Sequence, residues 1–199
     1  MKNTFIKLAV VFSAFWVPAV FADWNLKSDE SSLHFISIKQ NTIAETNRFQ
    51  QLEGSVSEAG DFQFSINLSG VETNIPIRNE RMNEFLFESA KFPLATGKGK
   101  IDMAQVSELA VGELMNIRLP VTIEFHGVSV KKDVMLQVAR LSSQKLWAVT
   151  EVPFIINAAE FGLTEGIEKL RELAGLPSIT QAVPVSVSLV FVKASKETK

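Results

Sequence analysis

The segment Val71–Phe87, VETNIPIRNERMNEFLF, sets Arg78, Glu80, Arg81 and Glu84 beside Met82, Phe85, Leu86 and Phe87. A guanidinium is planar and permanently charged, and it grips carboxylates or other oxyanions through a rigid fork of donors. Pro76 suits a first helical position, which puts Arg78 and Arg81 early in a helix and Glu84 and Glu88 late. That order opposes the helix dipole, at about 0.3–1 kcal/mol per misplaced charge. The arginines are therefore expected to find partners outside the helix, either Glu45, Glu72 or the polar head of a ligand. Met82, Phe85 and Leu86 share one side at i, i+3 and i+4. The segment reads as a lid or side wall over an apolar opening. Its ligand-contacting residues would be Arg78, Arg81, Met82, Phe85 and Leu86. The plainer alternative is a surface helix with a solvated charged side.

Other reactive residue types are scarce. His34 and His126 are the two histidines, and there is no cysteine. They lack the spacing of a helical zinc motif, and neither HExxH nor a nucleophile elbow occurs. His126 stands in FHGV, at a strand-to-turn position that suits a hydrogen-bonded structural role. TGKGK, at 96–100, lacks the spacing of a phosphate-binding loop and reads as backbone crowding or a hydrated edge. No catalytic residue, metal site or cofactor is expected. A net charge of −2, with no basic-aromatic strip, gives no reason to expect a nucleic-acid partner.

The elements that must hold the charged segment are mostly strands. Residues 1–22 read as a cleaved leader: Lys2 and Lys7 precede an apolar run from Leu8 to Phe21, with small residues before a cut after Ala22. The run is short for a membrane span, so residues 23–199 are expected as one exported domain, in the periplasm and without stable membrane insertion. Without cysteine that domain rests on its apolar core alone. Period-two alternation then runs through Leu33 and Phe35, through Phe62, Phe64, Ile66 and Leu68, through Ile117 to Phe125, and through Val183 to Phe191. Pro120 marks an edge, bulge or break. A second helix is expected in TEGIEKLRELAG, capped by Thr164 and ended by Gly175. The fold class is all-β, an antiparallel barrel of about eight strands, with one short helix between strands and a second near the C-terminus.

Taken in order, WNLKSDESSLHFISIK, FQQLEGSV, VETNIPIRNERMNEFLFESAKFP, IEFHGVSVKKDVML and INAAEFGL resemble the YceI-like family of exported, lipocalin-like barrels. The resemblance covers nearly all of residues 23–199. It implies binding of a polyisoprenoid lipid.

The residues themselves agree with an elongated apolar ligand. Fifteen Phe against no Tyr supply aromatic bulk without a polar handle, and a small closed barrel has room for packed side chains or one slim ligand. Phe35, Phe49, Phe64, Ile66, Leu119, Val121 and Phe154 are expected to line the lumen. The expected ligand is an isoprenoid-type amphiphile, namely a quinone precursor, prenyl alcohol or prenyl phosphate. The competing reading is a stress-response or interaction protein with a solid barrel acting through a surface partner. Edge strands and the second helix also offer surfaces for a homodimer.

Overall fold

The computed structural model describes residues 22–194. The leader reading for residues 1–22 lies outside these, apart from Ala22. The sheet contains twelve strand segments: β1 (Ala22–Leu26), β2 (Ser32–Lys39), β3 (Ile43–Phe49), β4 (Leu52–Ser57), β5 (Asp61–Asn67), β6 (Val71–Glu72), β7 (Leu94–Lys100), β8 (Leu114–Phe125), β9 (Val128–Ser142), β10 (Lys145–Thr150), β11 (Phe154–Asn157) and β12 (Ala182–Lys193). Three helices, α1 (Pro76–Arg81), α2 (Met103–Glu108) and α3 (Thr164–Leu173), interrupt the strands.

Several segments are halves of one bent stave. β1 and β2 follow one another along β12, pairing Trp24 with Lys193 and Leu33 with Val187. β3 and β4 continue each other beside them, and β5 and β6 follow through a turn at Leu68–Gly70 that the Asn67 side chain caps. β10 and β11 likewise share β12. Counted this way the chain is an up-and-down meander of eight antiparallel staves, closed where β12 meets β1 and β2. Closure removes most of the free sheet edge. The first halves of β3 and β8 are among the exceptions, because β6 pairs only with Arg48 and Phe49 and β7 pairs with β8 only from Val121 to Glu124.

Turn chemistry fixes the register. His126 and Gly127 both have positive φ, 52° and 77°, between the paired Phe125 and Val128. Such two-residue turns match the twist of the flanking strands. The run TGKGK is strand β7, paired on both sides, so crowding rather than hydration accounts for its glycines. A Cβ at Gly99 would come within 2.9 Å of the Pro120 carbonyl oxygen. Pro120 neither bulges nor breaks β8, which keeps register with β9 from Leu114 to Phe125. It lies one residue before Val121, where the β7 pairing ends, so its missing N–H falls where β8 has a neighbour on one side only.

Inward side chains of all staves form the core, which includes Leu33, Phe35, Phe64, Leu119, Val121, Leu136, Val185 and Leu189. One end is plugged. α2, whose side-chain cap is Asp102, brings Val106 to 3% exposure beside Ile101 and Met103. This helix was not expected from the sequence. The other end lies under α1 and α3.

Gly97→Ala and Gly99→Ala should therefore differ. At Gly97 an added Cβ meets only the side-chain Cγ1 of Val121, at 3.3 Å, and the variant should lose less than about 1 kcal/mol. At Gly99 backbone must shift, and urea unfolding should register a loss of about 1–3 kcal/mol.

Candidate functional site

The barrel interior is hollow. A cavity of about 200 Å³ lies between the α2 plug and the α1–α3 end, and its walls are almost wholly apolar. The seven residues expected to line a lumen, Phe35, Phe49, Phe64, Ile66, Leu119, Val121 and Phe154, all border it. So do Leu33, Phe62, Leu68, Val134, Leu136, Val185 and Leu189, which continue the same strand faces. Strand alternation explains the pattern, because one residue in two faces inward along every stave.

Of the expected lid residues, Met82 and Leu86 border the cavity and Phe85 does not. The reason is a change of helical pitch. α1 ends at Arg81, and Met82–Leu86 form a wider turn in which the Phe87 N–H donates to the Met82 carbonyl across five residues, at 2.8 Å. An α-helix would bring Phe85 round beneath Met82. The wider π turn puts Leu86 and Phe87 there and leaves Phe85 half-buried at the side. Phe87 is 5% exposed and borders the cavity.

Phe87 also completes a chain of rings at this level. Phe35 meets Phe49 at 5.4 Å between centroids, Phe49 meets Phe87 at 5.7 Å, Phe87 meets Phe125 at 5.9 Å, and Phe125 meets Phe161 at 5.6 Å. These tilted pairs link β2, β3, the lid turn, β8 and the turn at Ala158–Phe161 into one aromatic belt. From α3 and its approach, Leu163 and Ile167 add to the cavity wall. Of the belt, Phe35 and Phe49 were expected at the lumen; its other rings, and α3, were not read from the sequence as site residues. The Phe periodicity held the former signal, and the apolar side of TEGIEKLRELAG the latter.

Neither expected arginine borders the cavity, and both are held from outside the helix. Arg78 Nη1 donates to the Glu45 carboxylate at 2.6 Å and Nη2 to the Thr73 carbonyl at 2.6 Å. Arg81 Nη1 donates to the Leu173 carbonyl at the end of α3, at 3.1 Å. Arg78 thus ties the lid to the half of β3 that has a neighbour, β2, on one side only, and Arg81 ties it to α3. Glu72 organises the turn before α1, accepting from the Asn74 backbone at 2.6 Å and from Asn79 Nδ2 at 3.2 Å.

α3 presses directly on the lid turn. At Gly166 an added Cβ would lie 2.6 Å from the Phe85 carbonyl oxygen and 2.9 Å from Leu86 Cα. Glycine within a helix costs helix propensity, and here, in the first turn of α3, it permits the contact. Leu163, not Thr164, occupies the N-cap position. At the other end the Gly175 N–H donates to the Glu172 carbonyl and the Leu176 N–H to that of Arg171, a Schellman closure with Gly175 at φ 63°.

His126 is structural in its contacts. Its Nε2 lies 2.8 Å from a Glu88 carboxylate oxygen and its ring 4.4 Å from that of Phe92. Among the described residues no group of three or more His, Cys, Asp or Glu could hold a metal ion.

An eight-stave antiparallel barrel closed around an apolar hollow is a lipocalin-like barrel. Within that class the chain belongs to the YceI-like domain family, whose model matches residues 24–191. Among solved structures it is similar to a polyisoprenoid binding domain from Saccharophagus degradans implicated in plant cell wall breakdown. The two are 39% identical with a TM-score of 0.86, over 87% of this chain and 100% of that one. BcnA from Burkholderia cenocepacia is 14% identical with a TM-score of 0.64, over 83% and 98% of the two chains, and shares the fold. A mutant Campylobacter jejuni YceI protein does so at 11% identity and a TM-score of 0.52, over 98% and 100%. Comparison with curated proteins returned no match.

The lid latch carries a pH signature. Burial pushes the Glu45 carboxyl up, but the hydrogen bond from Lys39 and the charges of Arg78 and Lys39 outweigh it and hold the group below its ordinary value of 4.5. A lowered carboxylate stabilises the fold above its unfolded pKa, and that contribution disappears as pH falls through the lowered value. Glu45→Gln should thus be less stable than the native protein near neutral pH. In urea unfolding from about pH 7 to about pH 3, the gap should hold and then close below about pH 4.5.

Proposed function

We propose that the protein binds and carries an amphiphilic lipid of isoprenoid type, with its tail in the barrel lumen and its head at the lid end. The observation that carries this is the hollow itself: about 200 Å³ enclosed by Phe, Leu, Ile and Val side chains with almost no polar surface. Such a lining offers nothing to orient a polar substrate. It rewards burial of hydrocarbon, at about 25 cal/mol per Å² removed from water. The similarity to a polyisoprenoid binding domain at 39% identity supports the same ligand class. A solid barrel working only through its surface would have filled this space.

The work done on the ligand is non-covalent. β2, β3, β5, β7, β8, β9, β11 and β12 supply the walls, and the π turn with α3 covers the lid end. Phe35, Phe49, Phe64, Ile66, Leu119, Val121 and Phe154 contact the tail, and Met82, Leu86 and Phe87 close over it. Arg78 and Arg81 hold the lid in place rather than gripping the tail. The setting is the periplasm after removal of the leader, which the apolar run from Leu8 to Phe21 supports. No helix among the described residues is long and apolar enough to cross a membrane.

Organic extraction of natively purified protein followed by mass spectrometry tests this. A prenyl lipid should be recovered in near-stoichiometric amount. Ala95 is 6% exposed and borders the cavity, so Ala95→Trp should fill the hollow and lower recovery at least about tenfold while the melting temperature holds or rises. Repeatedly empty extracts, with no uptake of added prenyl lipid, would contradict the reading.

A further inference from the structure

Beneath α1 the interior stops being apolar. Asn47 faces Phe35 directly across the β2–β3 ladder and lies two residues from Phe49. Directly opposed residues share a face of the sheet, so Asn47 continues the row of Phe35 and Phe49 towards α1, one step beyond the residues that border the cavity. It is 3% exposed. Its amide Nδ2 donates to Ser37 Oγ at 3.1 Å and to the Glu45 carbonyl at 3.3 Å. The second bond sets which way the amide points, since a flipped amide would oppose oxygen to oxygen. That leaves Asn47 Oδ1 buried with no hydrogen-bond partner among the described residues.

Arg78 shows the complementary lack. Its two terminal nitrogens are engaged by Glu45 and Thr73, and its Nε is buried without an acceptor among the described residues. Buried polar atoms are nearly always paired, and an orphan calls for an explanation. Glu45 joins the two residues through its carbonyl to Asn47 and its carboxylate to Arg78, and Lys39 sits 2.6 Å from the same carboxylate.

These partners define the chemistry of a head group. An anion such as a phosphate would be set against the Glu45 carboxylate, which already pairs with both Arg78 and Lys39. It would also bring negative charge to an amide oxygen that needs a donor. A neutral hydroxyl meets neither conflict. It can donate to Asn47 Oδ1, and its oxygen can accept from a guanidinium N–H.

We propose that Asn47 selects the head group, and that the lipid is a prenyl alcohol or phenol rather than a prenyl phosphate. The inference rests on the lipid-carriage reading above. With the lid in place, the head would sit under α1 with its hydroxyl on Asn47 and its tail running past Phe35 and Phe49 into the lumen.

Three probes with one tail test it: geranylgeraniol, its methyl ether and its monophosphate, measured by equilibrium dialysis against the purified protein. The alcohol should bind about tenfold tighter than the ether, which has no hydrogen to donate, and tighter than the phosphate. Asn47→Leu should bring alcohol and ether to similar affinity by weakening the alcohol alone. Equal binding of alcohol and ether to the native protein would overturn the proposal, whatever the variant does. So would a phosphate that binds tightest, or an Asn47→Leu protein that keeps the alcohol preference. If none of the three binds, lipid carriage itself fails, and the head-group assignment goes with it.

Discussion

The structure depends on an apolar interior that its own side chains do not fill. An apolar void keeps its lining from making dispersion contacts and stays dry, because water finds no partners there. At about 24 cal/mol per Å³, a hollow of about 200 Å³ costs about 5 kcal/mol. That is comparable with the entire stability of many small domains. An empty lumen is therefore a state the fold tolerates, and a filled one is a state it gains from. Closed stave pairing, the α2 plug and the long β8–β9 ladder supply a frame that can stand the void.

The lid is attached differently from the frame. Its α1 and π turn meet the rest through Arg78 on Glu45, Arg81 on the last turn of α3, Asn79 on Thr73, Asn83 on the Ser69 carbonyl, the backbone contact at Gly166 and the buried Met82 and Phe87. They lie beside the half of β3 that has a neighbouring strand, β2, on one side only. The aromatic belt couples lid to lumen, because Phe87 belongs to the lid yet stacks between Phe49 of β3 and Phe125 of β8. Moving the lid means parting those rings, so the lid and the aromatic belt of the lumen are coupled.

The frame was legible in the sequence because strand geometry has a period of two. Once Phe64 is inward, Phe62 and Ile66 follow, and a run such as Val183 to Phe191 can only be a stave with one greasy face. The lid was legible in composition and not in phase. Nothing in RMNEFLF distinguishes an α turn from a π turn, and that one difference exchanges Phe85 for Phe87 at the cavity. The six residues of α2 were too few to show periodicity. Pro120 spoke correctly for a one-sided neighbour, but alternation alone could not say where β7 lets go. Asn47 was silent for another reason. A polar residue in an alternating run reads as outward-facing, and only the ladder opposite Phe35 reveals that it points in.

The central claim, a lumen open to hydrocarbon, is tested most directly by diffraction from crystals equilibrated with xenon under pressure, since xenon enters apolar cavities without needing polar partners. Xenon density is predicted between Phe64, Leu119 and Val185, or continuous lipid density in its place. Side chains packed across that space, with neither xenon nor lipid between them, would contradict the account.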